Sequence, residues 1–162
     1  MKTLIELFNL GMARNYAEII PDAEGIVLNL GPGSKHIDGA IELEYPDWDA
    51  EKDNIPLMTD SVDMIHAYHI LEHVRNIPFL IKEINRVLKP GGHVNIVVPY
   101  YSSQLQAQDL DHKTSFTEKS FSTLFQTSYY SKGKAEPMKI ATNFIMGDCE
   151  KNLCLVIQLV KL

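Results

Sequence analysis

The feature that most constrains this chain is an apolar run that ends in glycines: Ile26-Val27-Leu28-Asn29-Leu30 leads straight into Gly31-Pro32-Gly33-Ser34. A short aliphatic run bounded by Gly and Pro reads as a buried strand. Gly-x-Gly at its end permits a tight turn and a close approach of a ligand to the backbone, where a Cβ would clash. The full dinucleotide pattern Gly-x-Gly-x-x-Gly needs a third glycine at the place held by His36, which weakens a nicotinamide or flavin reading. The next apolar stretch, Ala40-Ile41-Glu42-Leu43-Glu44, begins after only the six residues Ser34–Gly39. A parallel crossover normally takes a dozen or more, so the helix expected here is missing or reduced to a turn.

The remaining elements follow from periodicity and punctuation. Thr3 and Glu6 form a capping box ahead of Leu4, Leu7, Phe8 and Met12, which predicts a short helix covering one side of a sheet. Val62–Ala67 predicts a third strand after the Asp60-Ser61 turn. Leu80, Ile84, Val87 and Leu88 recur at helical spacing. Asn76 caps the front of that helix, Pro78 lies in its first turn, and Lys89-Pro90-Gly91-Gly92 closes it. His93–Val98 then completes a βαβ unit. Tyr100–Lys113 is polar and irregular, Thr117 is expected to cap a short helix through Phe125, and Ile140–Met146 with Leu153–Leu159 predict an antiparallel hairpin.

Composition narrows the function classes. Fifteen Lys and Arg against 21 Asp and Glu give a net charge of −6, so a nucleic-acid partner held by bulk charge is not favoured. No apolar run reaches the length of a membrane span, and Glu6 and Asn9 interrupt any signal-peptide core, which predicts a cytoplasmic protein with no membrane partner. Two cysteines, Cys149 and Cys154, do not make a disulfide framework. The 162 residues predict a single domain, 1–162.

Glu44 ends the second strand, where an acid can accept both hydroxyls of a ribose, and Asp49-Ala50 follows in a loop able to meet an adenine amine. Together Leu28-Asn29-Leu30-Gly31-Pro32-Gly33, Ile41–Glu44, Ile55-Pro56-Leu57 before Ser61-Val62-Asp63, Tyr68–Val74 and Leu88-Lys89-Pro90-Gly91-Gly92 resemble the class I S-adenosylmethionine-dependent methyltransferases. The similarity is to the small methyltransferase type 11-like group and runs from about Val27 to Phe125, where Asp111-x-Lys113 and Phe116–Phe121 resemble that group's segment after the fifth strand. The resemblance implies a Rossmann-like α/β sheet, mostly parallel with a C-terminal antiparallel hairpin. It implies S-adenosyl-L-methionine as cofactor, with Gly31 and Gly33 beneath its methionine and ribose portions. Asn29 stands where many relatives carry an acid, Glu44 would take the ribose, and Ala67 and Tyr68 would flank cofactor and acceptor. Asp49, beside Ala50, is the choice for the adenine amine, with Asp47 and Asp53 as rivals.

The expected activity is methyl transfer to a small-molecule acceptor, with His69 or His112 as base and Asp111 orienting or substituting. The alternative is a non-catalytic binding or scaffold protein partnering another enzyme; a second copy of the chain is a further candidate partner. His69-x-x-Glu72-His73 also fits an inverted zinc-protease signature, which needs both histidines on one helix face. With no long helix expected there, no metal site is assigned. Neither cysteine follows a proline, and Ala67-Tyr68-His69 is not the Pro-Pro-aromatic string of amino-directed DNA methylation.

Overall fold

The computed structural model describes residues 25–126, 135–147 and 151–162. The helix expected at Thr3–Met12 and Cys149 lie outside them. Six strands form one sheet: β1 (Val27–Leu30), β2 (Ile41–Leu43), β3 (Val62–Tyr68), β4 (Leu88–Pro99), β5 (Lys139–Met146) and β6 (Cys154–Val160). Their order is β2-β1-β3-β4-β6-β5. The first four run parallel, and β6 and β5 run antiparallel, as the sequence predicts. Helix α1 (Ile77–Val87) links β3 to β4, while α2 (Gln104–Gln108) and α3 (Ser120–Phe125) are short.

Alternation sorts each strand's side chains between the two faces of the sheet. Leu28, Leu30, Ile65, Ala67, Val94, Ile96, Leu155 and Ile157 share one core with the inward stripe of α1: Leu80, Ile81, Ile84 and Val87. Fully burying an aliphatic side chain contributes about 1.5–3 kcal/mol, so this layer supplies most of the sheet's cohesion. The other face carries Asn29, His66, Asn95, Tyr68 and Gln158, which are partnered locally. His66 Nδ1 meets Tyr68 Oη at 2.8 Å, and Gln158 Nε2 donates to Asn95 Oδ1 at 2.9 Å.

Two motifs read in the sequence are fastened by ion pairs. Lys89 Nζ contacts both carboxylate oxygens of Asp63 at 2.8 Å, tying the start of β4 to the start of β3. Arg86 donates to the carbonyls of Ile55 and Leu57 and to Glu83, while Glu83 Oε2 accepts from Ile55 N at 3.0 Å. Ile55-Pro56-Leu57 is thereby clamped to α1. The helix begins where Asn76 accepts from Phe79 N at 3.4 Å. The Lys-Pro-Gly-Gly segment departs from expectation, because Leu88 is already extended and the segment becomes the first part of β4.

Between β1 and β2 no helix forms, as the six-residue spacing predicts. The loop is organised by the Glu42 carboxylate, which accepts from Asn29 Nδ2 at 3.2 Å and Ile37 N at 3.1 Å and contacts His36 Nδ1 at 2.7 Å. Thr117 does not cap α3; Lys119 holds that position, and Thr117 instead closes the preceding turn with Ser120. Inside the polar run, Ser103 Oγ accepts from Leu105 N and starts the unanticipated α2.

His66 is fully buried, and burial, helped by repulsion from His93, pushes its imidazole down to about 4. The unfolded chain takes up that proton near pH ~6.5, so stability is lost as pH falls from there toward 4. Urea denaturation at pH 7 and pH ~4.5 should show about 2–3 kcal/mol more acid loss for the native chain than for His66→Gln. Equal losses in the two proteins would remove His66 as the cause.

Candidate functional site

The chain order reverses direction between β1 and β3, since β2 lies outside the first and β4 outside the second. Open α/β sheets bind ligands beyond the carboxyl ends of strands at such a point. A cleft of about 290 Å³ lies there, with Gly31, Glu44, Asp49, His69 and Ile70 in its lining.

Gly31 leaves β1 with φ +61° and donates from its N–H to Leu43 O at 2.8 Å. A Cβ at this position would lie 2.8 Å from Ile70 Cδ1, so the loop and the turn after β3 meet at glycine contact distance. Gly33, at φ +54°, faces open space and donates to Glu44 Oε1 at 3.0 Å. Glu44 is exposed directly after β2.

The loop after Glu44 supplies the far wall. Asp49 accepts from Glu51 N at 2.9 Å and pairs with Lys52 at 3.2 Å, contacts that hold its carboxyl below the usual carboxylate range. Ala50 lines the same cleft. Of the rivals, Asp53 accepts from Asp49 N at 2.9 Å, and both Asp47 and Asp53 line a neighbouring cavity of about 380 Å³. Glu51 anchors the loop by accepting from Arg75 N and Asn76 N, and it pairs with Lys113 at 3.3 Å. Lys113 thereby comes to the rim of the cleft.

Of the expected site residues, Asn29, Gly33, Ala67, Tyr68, Asp111 and His112 are not in the cleft lining, although Gly33 is joined to it through Glu44. Asn29 is buried, and its amide is spent on Lys35 O and Glu42. Ala67 faces the α1 core, and Tyr68 turns to the opposite face beside His66. Strand β3 continues through Tyr68, so the turn into the cleft comes one residue later and presents His69 and Ile70 instead. Two aromatic lining residues were not singled out in the sequence. Tyr45 is exposed, whereas Trp48 is buried with an indole N–H that has no partner among the described residues. Their signal was present in Glu44-Tyr45-Pro46-x-Trp48, an aromatic pair directly after the acid.

His69 sits at φ +56° and donates its N–H to Val97 O at 2.8 Å. Its Nδ1 is 3.2 Å from Glu72 Oε1, and the Glu72 side chain is only 1% exposed. Burial pushes the His69 imidazole down, but hydrogen bonds to Cys154 and to Glu72 outweigh it and raise the group to about 9. The residues 71–73 form a single 3-10 turn, so His69 and His73 are not stacked on a helix as the zinc-protease reading requires. His112 comes in from the opposite loop, its Nε2 4.0 Å from Glu72 Oε1. Asp111 is exposed, and its carbonyl accepts from His73 Nδ1 at 3.3 Å.

Residues 28–96 match the family described as methyltransferase domain. The biotin biosynthesis bifunctional protein BioHC of Cellvibrio japonicus is 35% identical over 77 residues, 46% of this chain and 15% of that protein. The chain therefore spans less than a sixth of that relative's length. Among solved structures, the partner of the Trm112 methyltransferase activator from Haloferax volcanii aligns over 95% of this chain and 88% of its own, at 17% identity and TM-score 0.63. An S-adenosylmethionine-dependent methyltransferase from Aquifex aeolicus aligns over 100% of both chains at 12% identity and TM-score 0.59. These likenesses give the same fold, a Rossmann-like sheet with antiparallel C-terminal strands.

The contact between Gly31 and Ile70 is testable by size. Gly31→Ala should lower folding stability by about 1–3 kcal/mol, from positive φ plus the clash. Gly33→Ala should cost only the conformational part, about 1 kcal/mol, because nothing lies within 4 Å. Adding Ile70→Ala to Gly31→Ala should make the glycine substitution less costly than in the Ile70 background, read in a double-mutant cycle. Strictly additive energies would show that the two residues do not compete for space.

Proposed function

We propose that the chain is a class I S-adenosylmethionine-dependent methyltransferase, as its methyltransferase-domain match and fold support, and that it methylates a small-molecule acceptor held at the cleft between β1 and β3. The supporting observation is the convergence of Gly31, Glu44, Asp49 and His69 on one cleft at the strand ends. The residues fit the cofactor: a glycine turn without side chains, an exposed carboxylate beside it, an unpartnered indole N–H, and an acid-bearing loop beyond. Glu44 would accept the ribose hydroxyls and Asp49 the adenine amine, with Tyr45 and Trp48 giving aromatic surface to the base.

When bound, S-adenosylmethionine supplies an already activated sulfonium methyl. The protein's task is then to hold an acceptor in line and, for an O or N nucleophile, to take a proton. We assign that proton to the His69–Glu72 pair, which borders the cleft. Asp111 and His112 belong to the loop facing His69 and position the acceptor in this reading. The cleft's acidic rim and its modest size favour a small acceptor over a nucleic acid.

A second reading keeps the fold and drops the catalysis, leaving a binding protein that partners another enzyme. The Haloferax neighbour, solved with a methyltransferase activator, supports a protein partner for such a fold but not the loss of catalysis. A labelled-methyl transfer assay on cell extract separates the two, since cofactor binding without transferred label supports the scaffold.

Calorimetry with S-adenosylhomocysteine should show Glu44→Ala binding about 10–100-fold more weakly, as expected for lost hydrogen bonds to a charged group. Unchanged affinity would exclude the ribose contact. With His69 as base, turnover should rise with pH to a midpoint near 9, because the imidazole must first lose its proton. Glu72→Gln removes the anion that favours the protonated ring, so the midpoint should move down toward ~6.5. A profile unmoved by this change would assign the proton to another group.

A further inference from the structure

Beside the cleft, which His73 lines, three potential ligands converge. The donor atoms of Glu72, His73 and His112 all lie within 4.8 Å of one another. Each imidazole has its Nδ1 against a main-chain carbonyl: His73 to Asp111 O at 3.3 Å and His112 to Gln106 O at 3.1 Å. A carbonyl only accepts, so each Nδ1 donates, and in the neutral imidazole each Nε2 keeps a lone pair for a metal. This is the arrangement that orients metal-ligating histidines.

The carboxylate is equally prepared. Glu72 Oε1 is engaged by His69 Nδ1, while Oε2 is buried and has no partner among the described residues. The main chain fixes the residue in place, since Glu72 O accepts from both Lys113 N and Thr114 N, at 2.7 and 3.0 Å. His112 Nε2 faces Glu72 Oε1 at 4.0 Å and Asp109 Oδ2 at 3.7 Å, too far for hydrogen bonds. A cation between the neutral imidazole and this almost wholly buried carboxylate would give both a partner.

We propose that Glu72, His73 and His112 bind a divalent transition metal of the Zn²⁺ class. Two imidazoles and one carboxylate are the ligand set of open catalytic zinc sites, which keep a further position for water or substrate. Metal bonds of about 2.0–2.1 Å require donors roughly 3.4 Å apart, so the three groups must close by about an ångström. His73 is only half-buried and rotates to do this. Because His73 also lines the cleft, a metal held here would border the cleft. The metal would then select acceptors bearing a ligating oxygen or nitrogen. The ligand set is not that of the inverted protease signature, because His69 serves as hydrogen-bond donor to Glu72 and the second histidine comes from position 112.

The test uses the untagged chain, stripped by chelator and titrated with Zn²⁺, and separately with Co²⁺, without S-adenosylmethionine. One equivalent should bind per chain, and Co²⁺ should show the visible absorption of a four- or five-coordinate site. His73→Gln and His112→Gln should each weaken binding at least about 10-fold while circular dichroism stays native. His36→Gln, which alters the exposed His36–Glu42 pair, should leave binding unchanged. Absence of stoichiometric binding, or equal binding by the folded His73 and His112 variants, would overturn the proposal. Methyl-transfer activity does not enter this readout, so the outcome is independent of the catalytic reading.

Discussion

The Glu42 carboxylate makes this small version of the fold possible. A parallel crossover of ordinary length carries a helix whose apolar face and internal hydrogen bonds stabilise the connection. Here six residues replace it, and their backbone groups need partners of another kind. Glu42 supplies several at once, receiving bonds from the Ile37 backbone, the Asn29 amide and the His36 ring. Asn29 completes the arrangement by donating to Lys35 O at 3.0 Å. Because Glu42 lies on β2 opposite Asn29 on β1, the same side chains that hold the loop also hold the pairing of the two strands. With that register fixed, Glu44 reaches Gly33 and the cleft acquires its wall.

This also explains which parts of the molecule were legible in advance. Strands and α1 announce themselves because their burial is periodic: Leu80, Ile84 and Val87 follow one helix face, and Val94, Ile96 and Val98 one sheet face. The glycine turn and Glu44 are legible for a related reason, as their chemistry depends on position along a single strand. The place of Asn29 is not legible in the sequence, because an amide after a hydrophobic residue looks the same whether it faces a ligand or a loop. Only its pairing with Glu42, thirteen residues away, decides the matter. Ala67 and Tyr68 were displaced by one residue of strand length, which in an alternating element turns each side chain to the wrong face.

Trp48 and Lys113 were missed for a different reason. Neither belongs to a periodic element, and Lys113 joins the site through Glu51, 62 residues away in sequence. Glu51 in turn holds Arg75 and Asn76, so one carboxylate connects the loop after β2, the entry to α1 and the loop after α2. Loop-to-loop contacts of this sort have no short-range signature. They are visible only once the sheet has brought its carboxyl ends together.

Glu72 plays the corresponding part on the acceptor side. An isolated buried carboxylate is costly, and one with a vacant oxygen persists only if its surroundings compensate it. His69 compensates part of the charge, at the cost of a left-handed backbone that a non-glycine residue adopts rarely. Two main-chain donors from Lys113 and Thr114 compensate the peptide carbonyl but leave the side chain's second oxygen untouched. A protonated His69 or a metal bound with His73 and His112 would each give this carboxylate a counter-charge.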